Sequence, residues 1–349
     1  MPPHGRPQLH VNRDRARRVL GGRRDGQHAD APGVAAADQL AALPLRHRPL
    51  QRDRPQREPS LPVPPRACRA AAHADAQRLA DREDAPLPGG AAQAHVLSGD
   101  AATFLGHSTV LIESAGSRFL TDPVLRERLA HLRRHAPPVA REATRELDAI
   151  LISHLHHDHL DKRSLRQLDP ATPLVVPAGG GALARDAGFR DIREVRAGEE
   201  LRFGGSTVVV VEADHDAGRG PRSRHRAEPV GYVVRGNRSI YFAGDTDHFA
   251  GMARIGEIGL DLGLIPVWGW GPKVGSGHLD PESAAEALTL LRPAIAVPIH
   301  WGTLFPLVMH RVRPDALHDP PRIFARCASR IAPGTRVEVI DPGERIELG

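Results

Sequence analysis

Residues 149–161 read Ala-Ile-Leu-Ile-Ser-His-Leu-His-His-Asp-His-Leu-Asp, an apolar run that opens directly onto a crowd of metal-ligand side chains. The continuous run Ala149–Ile152, placed after Asp148, predicts a strand covered on both faces. The cluster that follows Ser153 therefore falls in a strand-to-helix loop, with a helix over Lys162–Leu168. His154 and His156 stand two apart in extended chain and point the same way. Asp158 and His159 come after a turn and address a second point nearby. Imidazole nitrogens and carboxylate oxygens suit zinc-like ions. His157 sits between ligand positions and is not expected to be one.

The same arrangement recurs downstream. His215 follows the apolar strand Thr207–Val211, Asp245 follows a strand over Ser239–Phe242, and His300 follows a strand over Ala294–Pro298. A single His after a strand carries little weight. Four apolar strands that each deliver His or Asp at one end describe the edge of a layered sheet, where ligand sites collect. Further strands are expected at Ala102–Leu105, Thr109–Ser114, Arg118–Thr121, Leu174–Pro177, Glu200–Phe203, Leu260–Pro266, Arg336–Ile340 and Arg345–Leu348. Val230–Arg235 and Ser239–Phe242 make a hairpin across Gly236-Asn237. A helix opens at Gly179–Gly181 and runs toward Ala187. Pro281–Leu291 is a helix with Asp280 as N-cap and proline at its first position, and Pro314–Ala328 is helical. Strands with helices between some of them suit an α+β sandwich of two sheets with helices outside.

The sequence up to residue 95 has a different texture. It holds 16 Arg against 10 Asp and Glu, a balance of +6, while the rest of the chain holds 31 Lys and Arg against 32 Asp and Glu. The formal charge of +5 therefore belongs to this segment and argues for no nucleic-acid binding by the remainder. Rich in Arg, Pro and Ala and without sustained periodicity, residues 1–95 read as a disordered extension. Short helices around Ala35–Leu43 and Arg69–Arg82 are compatible with that. A misassigned start or frameshifted reading, and a functional basic arm, stay open beside it. Residues 96–349 form the folded domain in this reading, the one that holds the His and Asp cluster.

Two cysteines are too few for a disulfide framework and point to a reducing cytosol. Arg17-Arg18 is not followed by an apolar stretch, so no export signal is expected, and no apolar run is long enough to span a membrane. The expected location is cytoplasmic.

Several segments together resemble the metallo-β-lactamase superfamily, and within it the branch of N-acyl-phosphatidylethanolamine phospholipase D-like and ascorbate-lactonase-like hydrolases. They are Phe104-Leu105-Gly106-His107-Ser108-Thr109, Leu120-Thr121-Asp122-Pro123, the His154–Asp161 loop and Gly244-Asp245-Thr246. Gly277-His278-Leu279-Asp280-Pro281-Glu282 and Ile299-His300-Trp301-Gly302-Thr303 complete the set. The resemblance covers about residues 102–305 and leaves residues 1–95 without a counterpart. It implies an αββα sandwich with two metal ions. His154, His156 and His215 would hold one, Asp158, His159 and His300 the other, and Asp245 would bridge them. Zinc is the default, with manganese or iron as alternatives.

Such a centre activates water for hydrolysis, and Asp158 can accept a proton or orient the nucleophile. His278 completes neither ligand set. The resemblance places it beside the substrate as a general acid or oxyanion stabiliser, while a neighbour of the Asp280-Pro281 helix cap is the competing reading. Asp122 resembles a carboxylate that orients a ligand His. His107 is read either as an outer partner of the site or as packing. Arg219, Arg222, Arg224 and Arg226 crowd the segment after His215 and suit an anionic substrate, although a solvated charged loop is the commoner outcome. The Trp268–Pro272 stretch is read as a pocket wall or as exposed packing. The expected reaction is hydrolysis of a phosphodiester or similarly anionic ester, on a small molecule or a phospholipid-like substrate. Lactone hydrolysis is the alternative chemistry, and nucleic-acid binding through the basic arm the alternative of another class. Peripheral membrane contact and oligomeric state are left open by the sequence.

Overall fold

The computed structural model describes residues 99–268 and 275–349. The extension, its two short helices and most of the Trp268–Pro272 stretch lie outside the described residues. The strands are β1 (Asp100–Gly106), β2 (Thr109–Ser114), β3 (Ser117–Thr121), β4 (Arg128–Leu129), β5 (Leu132–Arg134), β6 (Ala149–Leu151), β7 (Leu174–Pro177), β8 (Ile192–Val195), β9 (Glu200–Phe203), β10 (Ser206–Glu212), β11 (Val230–Arg235), β12 (Ser239–Phe242), β13 (Leu262–Pro266), β14 (Ile295–Ile299), β15 (Leu304–Pro306), β16 (Arg336–Val337) and β17 (Arg345–Leu348). The helices are α1 (Lys162–Leu165), α2 (Gly181–Ala187), α3 (Met252–Gly256), α4 (Pro281–Leu291), α5 (Leu307–Val312) and α6 (Asp319–Ile331).

Two seven-stranded mixed sheets form the sandwich, in the orders β17-β1-β2-β3-β6-β7-β8 and β16-β14-β13-β12-β11-β10-β9. Within each, the tight hairpins pair antiparallel, as do β10 with β11 across the long loop 213–229 and β1 with β17, while β3-β6-β7-β8 and β12-β13-β14-β16 pair in parallel. The αββα expectation holds. The strand over 149–151 shows why the apolar run is continuous. Ala149 and Leu151 join the core between the sheets, with Phe104, Ile112, Val208 and Tyr232. Ile150 and Ile152 join a second core with Leu165, Leu183 and Ala187 of the covering helices. Both faces of β6 are dry, so no polar residue is tolerated until the chain leaves the sheet.

Helix α4 starts as expected. The Asp280 carboxylate accepts from the backbone N–H groups of Glu282 and Ser283, and the Ser283 hydroxyl completes a capping box. The expected single helix over Pro314–Ala328 is instead a 3-10 turn at Pro314–Leu317 followed by α6. Pro320 and Pro321 are the cause: neither has an N–H to return to the preceding turn, so a new helix starts there. The strand expected over Arg336–Ile340 shrinks to Arg336–Val337, and the helix expected over Lys162–Leu168 to Lys162–Leu165. A small third sheet, β15-β5-β4, was not anticipated, because strands of two or three residues are too short to show a period. Among the described residues no helix is long and apolar enough to cross a membrane.

Asp100 clamps the two sheets at the end remote in sequence from the His-rich loop. Its buried carboxylate accepts from Ser114 Oγ (2.7 Å) and Ala115 N (2.9 Å) in the β2–β3 turn. It also accepts from Asn237 Nδ2 (3.1 Å) and Arg238 N (2.7 Å) in the β11–β12 turn of the other sheet. Burial works against its charge, but these donors outweigh it and lower the pKa. Replacing Asp100 with Ala strands several donors, at a cost of about 2–3 kcal/mol. A depressed folded-state pKa gives stability that is present above the unfolded value of about 3.9 and is lost as pH falls through the folded value. In chemical denaturation the gap between wild type and Asp100→Ala is therefore full at neutral pH and narrows below about pH 4. A gap independent of pH rules the clamp out.

Candidate metal centre

The His-rich loop is held by its neighbours rather than by itself. Asp122, at the end of β3, accepts from Ser153 N (2.8 Å), Ser153 Oγ (2.6 Å) and His159 Nδ1 (2.7 Å). Ser153 O in turn accepts from Val230 N at 2.9 Å, which ties the loop to the second sheet. Arg219 donates to the carbonyls of Leu155 (2.8 Å) and Leu160 (3.2 Å), spanning the loop from outside. Gly244, at φ +62°, lies so close that a Cβ would sit 2.5 Å from Ser153 Cβ. Only glycine lets the Asp245 loop approach the His154 loop this closely.

One cluster is His154, His156 and His215. His154 Nε2 and His215 Nε2 each stand 3.0 Å from His156 Nδ1. Ligands about 2.05 Å from a tetrahedral zinc would lie roughly 3.3 Å apart, so three nitrogens at this spacing fit one ion. The outward nitrogens are anchored. His154 Nδ1 meets Ser153 Oγ at 2.9 Å, and His215 Nδ1 meets the Gly277 carbonyl at 2.6 Å. Gly277, at φ +89°, leaves room there, since a Cβ would stand 3.0 Å from His215 Nδ1.

The other cluster is Asp158, His159 and His300, joined by His107. His107 Nε2 lies 3.2 Å from Asp158 Oδ2, and His300 Nδ1 meets the Trp268 carbonyl. Asp245 stands among all of these. Its Oδ1 is 3.3 Å from His300 Nε2, and its Oδ2 is 3.2 Å from His159 Nε2 and 3.6 Å from His278 Nε2. It also groups with His215 and His278. The backbone bends sharply to achieve this: His107, Asp122 and His300 take φ of +58°, +32° and +65°. Each such left-handed residue costs on the order of 1–3 kcal/mol.

The electrostatics call for a cation. Burial disfavours a charged His159, yet Asp245, Asp158 and Asp122 outweigh it and raise its pKa well above the ordinary value. Burial likewise opposes the charged Asp245, but His159 and His300 hold it well below the carboxylate range. Around the first cluster burial dominates and keeps imidazoles neutral: His215 is lowered to about 4 and His154 well below its usual value. Neutral imidazoles and ionised carboxylates are the protonation states that bind metals. Among the described residues, His159 Nε2 and Asp245 Oδ1 are buried without a hydrogen-bond partner. Buried polar atoms left unpaired are costly, and a divalent ion is the group this donor set fits.

The structure brings together all the expected ligand positions: His154, His156, Asp158, His159, His215, Asp245 and His300. His278 stands beside them, a quarter exposed, and His157 points outward from the loop as an exposed side chain. His107 is part of the second cluster, so of its two sequence readings the packing role alone is insufficient. Arg219 corrects an expectation: it is buried and committed to loop carbonyls, whereas Arg222, Arg224 and Arg226 are exposed. The anchoring carbonyls of Gly277 and Trp268 were missed, because a carbonyl leaves no mark in sequence. A cavity of about 510 Å³ lined by Arg196, Ala213, Arg226 and Pro229, among others, contains none of the clustered residues. His107, Trp268, His300, Trp301 and Leu304 pack around a closed gap beside the second cluster, with no room for a water molecule.

A two-sheet sandwich that gathers His and Asp from its strand ends around a cation-seeking centre defines a metallo-hydrolase. The chain belongs to the metallo-β-lactamase superfamily, and the family described as "Beta-lactamase superfamily domain" matches residues 117–301. It is 35% identical over 293 residues to an uncharacterized protein of Mycobacterium bovis, covering 78% of this chain and 76% of that one. It is 34% identical to a metal-dependent hydrolase of Thermus thermophilus, covering 70% of this chain and 97% of the other. An N-acyl-phosphatidylethanolamine-hydrolyzing phospholipase D of Caenorhabditis elegans is 33% identical, over 60% of this chain and 65% of its own length. Among solved structures, a possible metal-dependent hydrolase of Veillonella parvula shares the fold at a TM-score of 0.57 with 16% identity, covering 72% of this chain and all of that one. The chain is thus a metal-dependent hydrolase of this superfamily, in the branch that contains these enzymes.

Asp122 touches His159 and, through Ser153, His154. Asp122→Asn is expected to weaken metal affinity about 10–100-fold in competition with a chromogenic chelator. Unchanged affinity would show that Asp122 only supports the fold.

Proposed function

We propose that the chain is a dinuclear metal-dependent hydrolase acting on a phosphodiester or a similarly anionic ester, of a small molecule or a phospholipid-like substrate. One observation carries this reading: Asp245 faces the second cluster with Oδ1 toward His300 and Oδ2 toward His159 and groups with His215 of the first. His154, His156 and His215 would hold one ion, Asp158, His159 and His300 the other, and Asp245 both. Zinc fits the His-rich set best, with manganese or iron as alternatives. Divalent ions there supply Lewis acidity and lower the pKa of water toward neutrality.

The chain's own residues supply orientation and proton handling. Burial opposes the Asp158 charge, but His159 and His107 outweigh it and keep it a carboxylate. Asp158 therefore accepts a hydrogen bond from a nucleophile and orients it. His278 stands at the mouth with one edge toward Asp245 and part of its ring in solvent. From there it can protonate a departing alkoxide, which is the general-acid role. Arg226 lies 3.7 Å from Asp216, which lies 3.9 Å from His156. It is the arginine best placed to meet a substrate anion. The phospholipase D relative, named for hydrolysing N-acyl-phosphatidylethanolamine, supports a phospholipid-like ester as the substrate class.

Metal-loaded protein is expected to turn over bis-p-nitrophenyl phosphate, and to do so faster than simple lactones. Lactone turnover with no phosphodiesterase activity would replace this reading by the lactonase one. His154→Ala and Asp245→Ala abolish metal loading and activity together, whereas His278→Ala keeps its metal and loses about 10²–10⁴-fold in kcat. Full metal content by elemental analysis in Asp245→Ala contradicts the bridging assignment.

A further inference from the structure

Apart from Val339, the exposed large apolar side chains of the described residues all belong to one short helix: Leu307 (49% exposed), Val308 (73%), Met309 (41%) and Val312 (66%) on α5. This helix buries none of its own residues. A six-residue helix is too short to be stable by propensity alone, and Val308 and Val312 are left mostly uncovered by the described fold. Val308, Met309 and Val312 stand at helical i, i+1 and i+4 positions and so form one patch.

Arginines predominate on the elements beside the patch. Helix α5 continues directly from β15, which pairs with β5, so that Phe305 lies opposite Arg133 and Pro306 opposite Leu132. Arg133 in turn lies opposite Arg128 on β4. Arg128, Arg133, Arg311 and Arg313 are all exposed. Residues 128–141 and 303–314 contain no carboxylate, the nearest along the chain being Glu127, Glu142 and Asp315. His310 stacks on His135 with ring centroids 4.4 Å apart, which pins α5 against the small sheet.

We infer that α5 and the β4–β5 hairpin form a docking surface for an anionic lipid bilayer. Leu307, Val308, Met309 and Val312 enter the interface, and Arg128, Arg133, Arg311 and Arg313 lie among the headgroups. Apolar side chains ringed by arginine are what such a surface binds. A second copy of the chain fits less well, because a two-fold interface places the same patch against itself and would set these arginines against one another. Leu304 of β15, buried and three residues before α5, packs beside His107 and His300 of the second cluster. The inference does not depend on the phosphodiester reading, since binding is measured without turnover.

Cosedimentation of the full chain with vesicles tests it, comparing phosphatidylcholine alone with phosphatidylcholine plus phosphatidylglycerol. Wild type is expected to partition onto the anionic vesicles and far less onto the neutral ones. The Val308→Asp, Val312→Asp double variant lowers that partition roughly tenfold or more. Arg311→Gln with Arg313→Gln, which alters only exposed charges, lowers it by a similar factor. Metal content equal to wild type certifies the fold of each variant. Because the arginines of residues 1–95 are present throughout, binding that survives both double variants belongs to that segment and overturns the proposal. Absence of wild-type binding overturns it too. So does a change in molecular mass by light scattering with vesicle binding intact, which would assign the patch to a second copy of the chain.

Discussion

The site depends on a carboxylate that touches no substrate. Asp122 is wholly buried, in a medium where an unpaired charge would be very costly. It is kept there by two donors from Ser153 and one from His159. Those same three contacts fix the start of the His-rich loop and the direction of one ligand ring. Ser153 is then used again: its hydroxyl meets His154, its carbonyl receives Val230, and its Cβ is the atom against which Gly244 has no room for a side chain. One residue pair thus registers β3, β6, β11 and the Asp245 loop against one another. Displacing Asp122 would disturb ligands of both clusters at once.

That concentration of polar groups has an energetic consequence. His154, His159, His300, His107 and Asp245 are nearly inaccessible to water, and His107, His300 and the neighbouring Asp122 hold left-handed backbone conformations. Asp245, Asp158 and Asp122 together raise the pKa of His159, so these carboxylates favour positive charge at the site. A divalent ion satisfies the carboxylates and the inward nitrogens together. Binding to the folded state alone then adds directly to folding stability. In such a protein metal occupancy and fold integrity are linked, and a stripped site is a strained one.

The residues that the structure clusters were legible in the sequence because metal binding restricts residue type. Only His and carboxylates serve here, and each follows an apolar strand whose end is visible as the end of a hydrophobic run. The sequence carried the sandwich for the same reason, since β6 between two dry cores admits no polar residue. What it could not show is direction. Arg219 looked like a substrate arginine, yet its guanidinium turns inward to the carbonyls of Leu155 and Leu160. The restraint on His215 and His300 comes from the carbonyls of Gly277 and Trp268, a group every residue possesses. Short elements escaped as well: β4, β5 and β15 lack the length to display alternation. Pro320-Pro321, legible in principle as a helix start, lay inside a stretch read as one helix.

The two kinds of residue at this site are held by different parts of the molecule, and that difference bears on what can vary. Most ligand rings are fixed through their second nitrogen, by main chain in the case of His215 and His300 and by Asp122 and Ser153 in the case of His159 and His154. Their positions therefore follow from the strand ends and change only if the sheets do. His278, Arg226 and the apolar helix after β15 sit on partly or fully exposed segments outside the two large sheets. Loops on a rigid scaffold are where specificity is set, and a shared fold does not by itself fix a shared substrate. The frame accordingly defines the class of chemistry, hydrolysis at a metal centre. The identity of the substrate is decided by the exposed residues around the site, where substitutions can alter it without moving a clustered side chain.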